Sequence, residues 1–105
     1  MTTDPDRAPR CVLLVEDEAD ARDALARALL AEGYDCVTAG TAAQALEAAR
    51  GAPFVDIAVL DVVLGDGLPD GIDLIWMLRG QGVRAPVVLM TAFADSPRLK
   101  RALNA

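Results

Sequence analysis

The chain has 105 residues, 53% of them hydrophobic, and a formal net charge of −6. That length suits a single domain, and the apolar share suits a packed core rather than a disordered chain. The acidic balance disfavours direct binding of nucleic acid, whose phosphates call for Lys and Arg, and points to metal cations and basic partners. With no His and only two Cys, an ordinary zinc site is excluded. No apolar run approaches the roughly 18 residues of a membrane span. The first ten residues, MTTDPDRAPR, lack the apolar stretch of a secretion signal. The expected location is the cytoplasm, with no membrane and no nucleic-acid partner.

In chain order, residues 1–10 carry two prolines and mixed charges and read as a flexible lead. Residues 11–16 (CVLLVE) form a short apolar run ending in acid, as a strand buried on both faces does. Residues 18–32 are rich in Ala, Leu, Arg and Glu. Leu25, Ala28 and Leu29 share one face of the helix expected there, and Gly33 stops it. Residues 34–39 (YDCVTA) are a second strand. Thr41 stands three positions before Gln44, a capping box that opens an alanine-rich helix to about Arg50. Cys11 and Cys36 fall in strand-like runs and are expected to be buried thiols.

Residues 56–60 (DIAVL) make a third strand running straight into Asp61. A glycine-rich loop follows, then a helix at about 71–80. Leu74 and Leu78 would face inward on it, with Trp76 and Met77 outward. Residues 86–90 (PVVLM) make a fourth strand ending at Thr91. Asp95-Ser96-Pro97 marks the start of a last helix. Apolar strands alternating with amphipathic helices imply an α/β fold, a parallel sheet with helices on both faces.

Glu16, Asp17, Asp61 and Thr91 all fall at strand ends. In an open parallel sheet those ends form the ligand crevice, so the four groups should meet. Clustered carboxylates repel each other. A hard divalent cation with oxygen ligands relieves that repulsion, and Mg²⁺ fits both the donors and phosphoryl chemistry. A carboxylate can itself act as a nucleophile towards phosphorus. Two rivals are weaker. The glycines at 65–71 (GDGLPDG) have the spacing G-x-G-x-x-x-G rather than that of a dinucleotide loop, with acids that would repel a pyrophosphate. Asp61-Val62-Val63 does not supply the D-x-D of phosphohydrolases that work through an aspartyl phosphate.

The segments LLVEDE (13–18), VLDVVLG (59–65), DGIDL (70–74) and LMTAFAD (89–95) together resemble the response-regulator receiver domains of two-component signalling systems. The likeness covers residues 11–105. It implies a flavodoxin-like, doubly wound sheet, here (βα)4 with strand order 2-1-3-4. It implies that Asp61 accepts a phosphoryl group from a histidine kinase or histidine phosphotransfer protein. By the same resemblance Asp17 and Asp61 ligate Mg²⁺ with the backbone carbonyl of Val63, and Glu16 acts through water. Thr91 is then the switch hydroxyl, and the Ala92 N–H contacts phosphate. Such a domain catalyses only its own phosphorylation and dephosphorylation and is not a dedicated enzyme. The fifth strand, the fifth helix and the Lys that the family places after that strand are missing from this chain. Lys100, on the last expected helix, does not replace that Lys. An exposed fourth strand or fourth helix would favour a homodimer. The alternative function is a receiver-like binding module that no longer switches by phosphorylation.

Overall fold

The computed structural model describes residues 10–52, 54–64 and 69–90. Four parallel strands alternate with three helices: β1 (Cys11–Val15), α1 (Ala19–Ala31), β2 (Asp35–Ala39), α2 (Ala42–Gly51), β3 (Ile57–Asp61), α3 (Gly71–Gly80) and β4 (Val87–Met90). The sheet order is β2-β1-β3-β4, as expected of the flavodoxin-like winding. The helix expected from Asp95 and most of the glycine-rich loop, 65–68, lie outside the described residues.

The strand order reverses at β1, because the chain first steps to β2 on one side and then to β3 on the other. Right-handed crossovers therefore place α1 on one face and α2 and α3 on the opposite face. Alternate strand residues sort the same way. Leu13, Val15, Ala58 and Leu60 pack with Ala45 and Ala49 of α2 and with Leu74, Ile75 and Leu78 of α3 into one buried cluster. Alanine on α2 keeps that helix close to the strands. Each fully buried leucine stabilises the fold by about 2 kcal/mol.

The α1 side is less covered. Helical spacing predicts a buried stripe of Leu25, Ala28 and Leu29. In the structure α1 buries no residue completely: Leu25 and Leu29 are half-buried and Ala28 is exposed. Val12 and Leu14 beneath are nevertheless sealed. Cys11 and Cys36, expected to be buried, are half-buried free thiols, and burial raises the pKa of each. Trp76 and Met77 point outward, as expected.

Both well-defined helix stops use the same device. Gly33 (φ 92°) and Gly82 (φ 91°) take the left-handed conformation that a side chain resists. The Tyr34 N–H then bonds the Leu29 carbonyl and the Gly33 N–H that of Leu30; Val83 and Gly82 repeat this on Leu78 and Arg79. The last carbonyls of each helix are satisfied in this way.

The start of α3 matters most for the site. Asp70 is buried and accepts from the Asp73 N–H at 2.9 Å. Asp73 returns the contact to the Asp70 N–H at 3.0 Å, a reciprocal cap with Asp at both positions. The next residue, Gly71, donates to the Val62 carbonyl at 2.8 Å. A Cβ at Gly71 would overlap the carbonyl of Asp61. Glycine is therefore needed to tuck α3 against the end of β3. Gly71→Ala should destabilise the fold by about 1–3 kcal/mol, read from urea unfolding. An unchanged midpoint would show that the backbone yields there freely.

Candidate functional site

Two neighbouring strands deliver the acids. β1 and β3 are paired through Val15 and Leu60, so the residues that follow leave the sheet side by side. The Glu16 N–H still pairs with the Ala39 carbonyl at 3.0 Å, which carries the β1–β2 ladder one step past the strand. The chain then turns through Asp17 to Glu18, which sits at the N-terminus of α1. Asp61 is the last residue of β3, level with Met90 on β4.

One carboxylate oxygen from each of Glu16, Asp17 and Asp61 lies within 4.8 Å of the other two. Glu16 and Asp61 are half-buried, and Asp17 is exposed. The sequence reading named these three acids, and the fold brings them together. Val63, expected to lend its carbonyl, stands beside them: its N–H donates to Asp61 Oδ1 at 3.2 Å. Thr91 and Ala92 lie outside the described residues. Sequence reasoning missed Asp70 and Gly71 as supports of Asp61. The Asp70/Asp73 spacing could have been found as a cap, whereas nothing local predicts the overlap at Gly71.

The electrostatics are unfavourable without a counter-charge. Two unit charges about 4 Å apart repel by about 4 kcal/mol at an effective permittivity of about 20. An N–H donor to a carboxylate returns about 1.5–3 kcal/mol. Such donors are present, from Val63 to Asp61 and from Glu18 to Glu16 Oε1 at 3.2 Å, but one donor does not offset one like-charge contact. Glu16 answers by holding its proton. Burial, with Asp61 and Asp17 adding to it and the Glu18 N–H opposing it, pushes its carboxyl up to about 7. The positive end of α1 eases the strain only in part.

All the donors are oxygens, two of them on half-buried carboxylates, and together they are short of positive charge. That set suits a hard divalent cation and not a soft one.

With the parallel sheet and the acidic crevice in place, the comparisons agree on a family. Residues 12–105 match the response regulator receiver domain, and the chain belongs to that family. It is 42% identical over 96 residues to the transcriptional regulatory protein KdpE of Mycobacterium tuberculosis, covering 90% of this chain and 40% of that protein. It is 40% identical over 106 residues to PdtaR of the same organism, covering 99% of this chain and 50% of that protein. The chain thus spans half or less of the length of these relatives. Among solved structures, the Vibrio cholerae chemotaxis protein CheY4 shares the fold (TM-score 0.82, 23% identity, 92% of this chain and 80% of that one). A response regulator from Burkholderia pseudomallei, solved with a phosphorylated aspartic acid, calcium ion and citrate, also superposes (TM-score 0.80, 26% identity, 90% of this chain and 54% of that one).

A pH dependence follows from Glu16. Its folded pKa lies above the ordinary 4.5, so between about pH 4.5 and 7 the folded state holds more proton than the unfolded state. This group's contribution is therefore most favourable below that window and is lost as pH rises through 7. Thermal unfolding of the metal-free chain should show stability falling from pH 5 to pH 8, and Glu16→Gln should flatten the fall. Added Mg²⁺ should restore stability at pH 8 far more than at pH 5, because binding must displace the proton. Equal restoration at both values would contradict the cluster electrostatics.

Proposed function

We propose that this receiver domain takes a phosphoryl group onto Asp61 from a histidine kinase or histidine phosphotransfer protein, and that its acidic crevice holds Mg²⁺. The observation that carries the reading is the cluster itself: three carboxylate oxygens within 4.8 Å at neighbouring strand ends. Asp17 and Asp61 would hold the ion with the Val63 carbonyl, and Glu16 through water. When bound, Mg²⁺ supplies positive charge that offsets these carboxylates and the oxygens of an incoming phosphoryl group.

The transfer needs little covalent work from the protein. An Asp61 carboxylate oxygen bonds to phosphorus as the bond to the donor's leaving group breaks, and that group departs with the electron pair. The Val63 N–H holds Asp61 Oδ1 at 3.2 Å, which fixes the carboxylate's orientation. Thr91 would be the switch hydroxyl, and the Ala92 N–H would meet a phosphate oxygen. Support for both comes from β4, whose last residue, Met90, is level with Asp61. The phosphorylated aspartic acid and calcium ion of the Burkholderia pseudomallei response regulator favour the same chemistry here.

The domain would act in the cytoplasm, without membrane or nucleic-acid contact of its own. It would catalyse only its own phosphorylation and dephosphorylation. Among the described residues β4 forms one edge of the sheet. A homodimer through that edge is the partner reading it supports.

Incubation with acetyl phosphate and Mg²⁺, followed by intact mass, tests the acceptor. The wild-type chain should gain one phosphoryl mass, and Asp61→Asn should gain none. A gain in both would move the acceptor elsewhere. A gain in neither would leave the binding module without phosphorylation as the correct function.

A further inference from the structure

Arg22, half-buried in the first turns of α1, reaches back over the site. Its Nη1 donates to the main-chain carbonyl of Glu16 at 3.0 Å. The same nitrogen lies 2.7 Å from where a Cβ on Gly40 would stand. Glu16 follows β1 and Gly40 follows β2, so the guanidinium lies across the carboxyl ends of both strands.

Gly40 has no other evident reason to be glycine. Among the described glycines only Gly33 and Gly82 have positive φ, so the backbone at Gly40 would accept a side chain. Its N–H is held by Gln44 Oε1 at 2.9 Å, a contact any residue could make. What a side chain would take away is the space that Arg22 fills.

The guanidinium bonds the main chain of Glu16 and not its carboxylate. That carboxylate answers to its own burial, the Glu18 N–H, Asp61 and Asp17. Arg22 instead fixes the carbonyl between Glu16 and Asp17, the peptide unit from which both side chains depart. A charge-assisted donor is the strong kind, and Arg presents its donors in a rigid fork.

We propose that Arg22 is a positioning residue for the acidic site: through a gap kept open by Gly40, it clamps the Glu16 carbonyl and holds the Glu16–Asp17 turn in the arrangement a divalent cation requires. This rests on the Mg²⁺ reading above. Residues that orient metal ligands typically change affinity by about 10–100-fold when removed. The lower end is expected here, because the contact is to the main chain and not to a ligand oxygen.

The test is Mg²⁺ titration by calorimetry on the folded chain, without phosphodonor, with circular dichroism confirming the fold of each variant. Arg22→Met should weaken Mg²⁺ binding about 10-fold, and Arg22→Lys should recover part of the loss through its one ammonium nitrogen. Gly40→Ala should match Arg22→Met, because the methyl expels the guanidinium. The double variant Arg22→Met/Gly40→Ala should be no weaker than Arg22→Met alone, since the clash has nothing left to displace. A purely structural role would lower the metal-free melting temperature while leaving affinity and the Lys rescue flat. Wild-type affinity in Arg22→Met or in Gly40→Ala overturns the clamp, as does an undiminished Gly40→Ala penalty in the double variant. A wild-type chain that fails to bind Mg²⁺ overturns the metal reading and the clamp together. Should Arg22→Met not fold, Gly40→Ala and Arg22→Lys decide the matter alone.

Discussion

Three carboxylates are held closer together than their charges favour, and the parallel sheet does the holding. β1 and β3 are hydrogen-bonded neighbours, and each hands over an acid where its ladder ends. Residues Val12–Val15 are buried without exception, so the strand cannot slip by one position without moving apolar side chains out of the core. The register that buries Leu13 and Val15 against α2 and α3 is the same register that places Glu16 and Asp17 beside Asp61. Core packing and site assembly are one constraint.

The surrounding structure keeps that repulsion from relaxing by movement. On one side the Asp70/Asp73 cap and the side-chain-free Gly71 bring the start of α3 onto the backbone of Asp61 and Val62. On the other, Arg22 ties the Glu16 carbonyl to α1. Relief must then come from a change of charge, either a proton on Glu16 or a cation in the crevice. A site balanced in this way responds strongly to what enters it.

The fold was legible because its signals are local. Apolar β-rich runs gave each strand to within one residue at either end, and Gly33 marked the end of α1 through the conformation only glycine readily takes. The acids were legible because two strand ends far apart in sequence carried the same chemistry. Thr41 caps α2 as its spacing with Gln44 implied, but Gln44 returns its bond to Gly40 and not to Thr41. Other features depend on what covers or approaches a residue. The Leu25, Ala28 and Leu29 stripe told which way α1 faces, not how much lies against it. The Asp70/Asp73 cap departs from the Ser/Thr with Glu/Gln form by which such caps are usually recognised. The meeting of Arg22 with Gly40 joins a helix to a different strand end, and no periodicity encodes it.

The most direct test of the account puts a paramagnetic ion in the crevice. Mn²⁺ accepts the same oxygen donors as Mg²⁺ and broadens amide resonances steeply with distance. In a titration followed by heteronuclear NMR, the amides of Glu16, Asp17, Asp61 and Val63 should broaden first and together, and excess Mg²⁺ should reverse the effect. Early broadening centred instead on the exposed Glu47 or on Asp35 and Asp56, with Asp61 unaffected, would contradict the claim that the sheet builds one cation site from these strand ends.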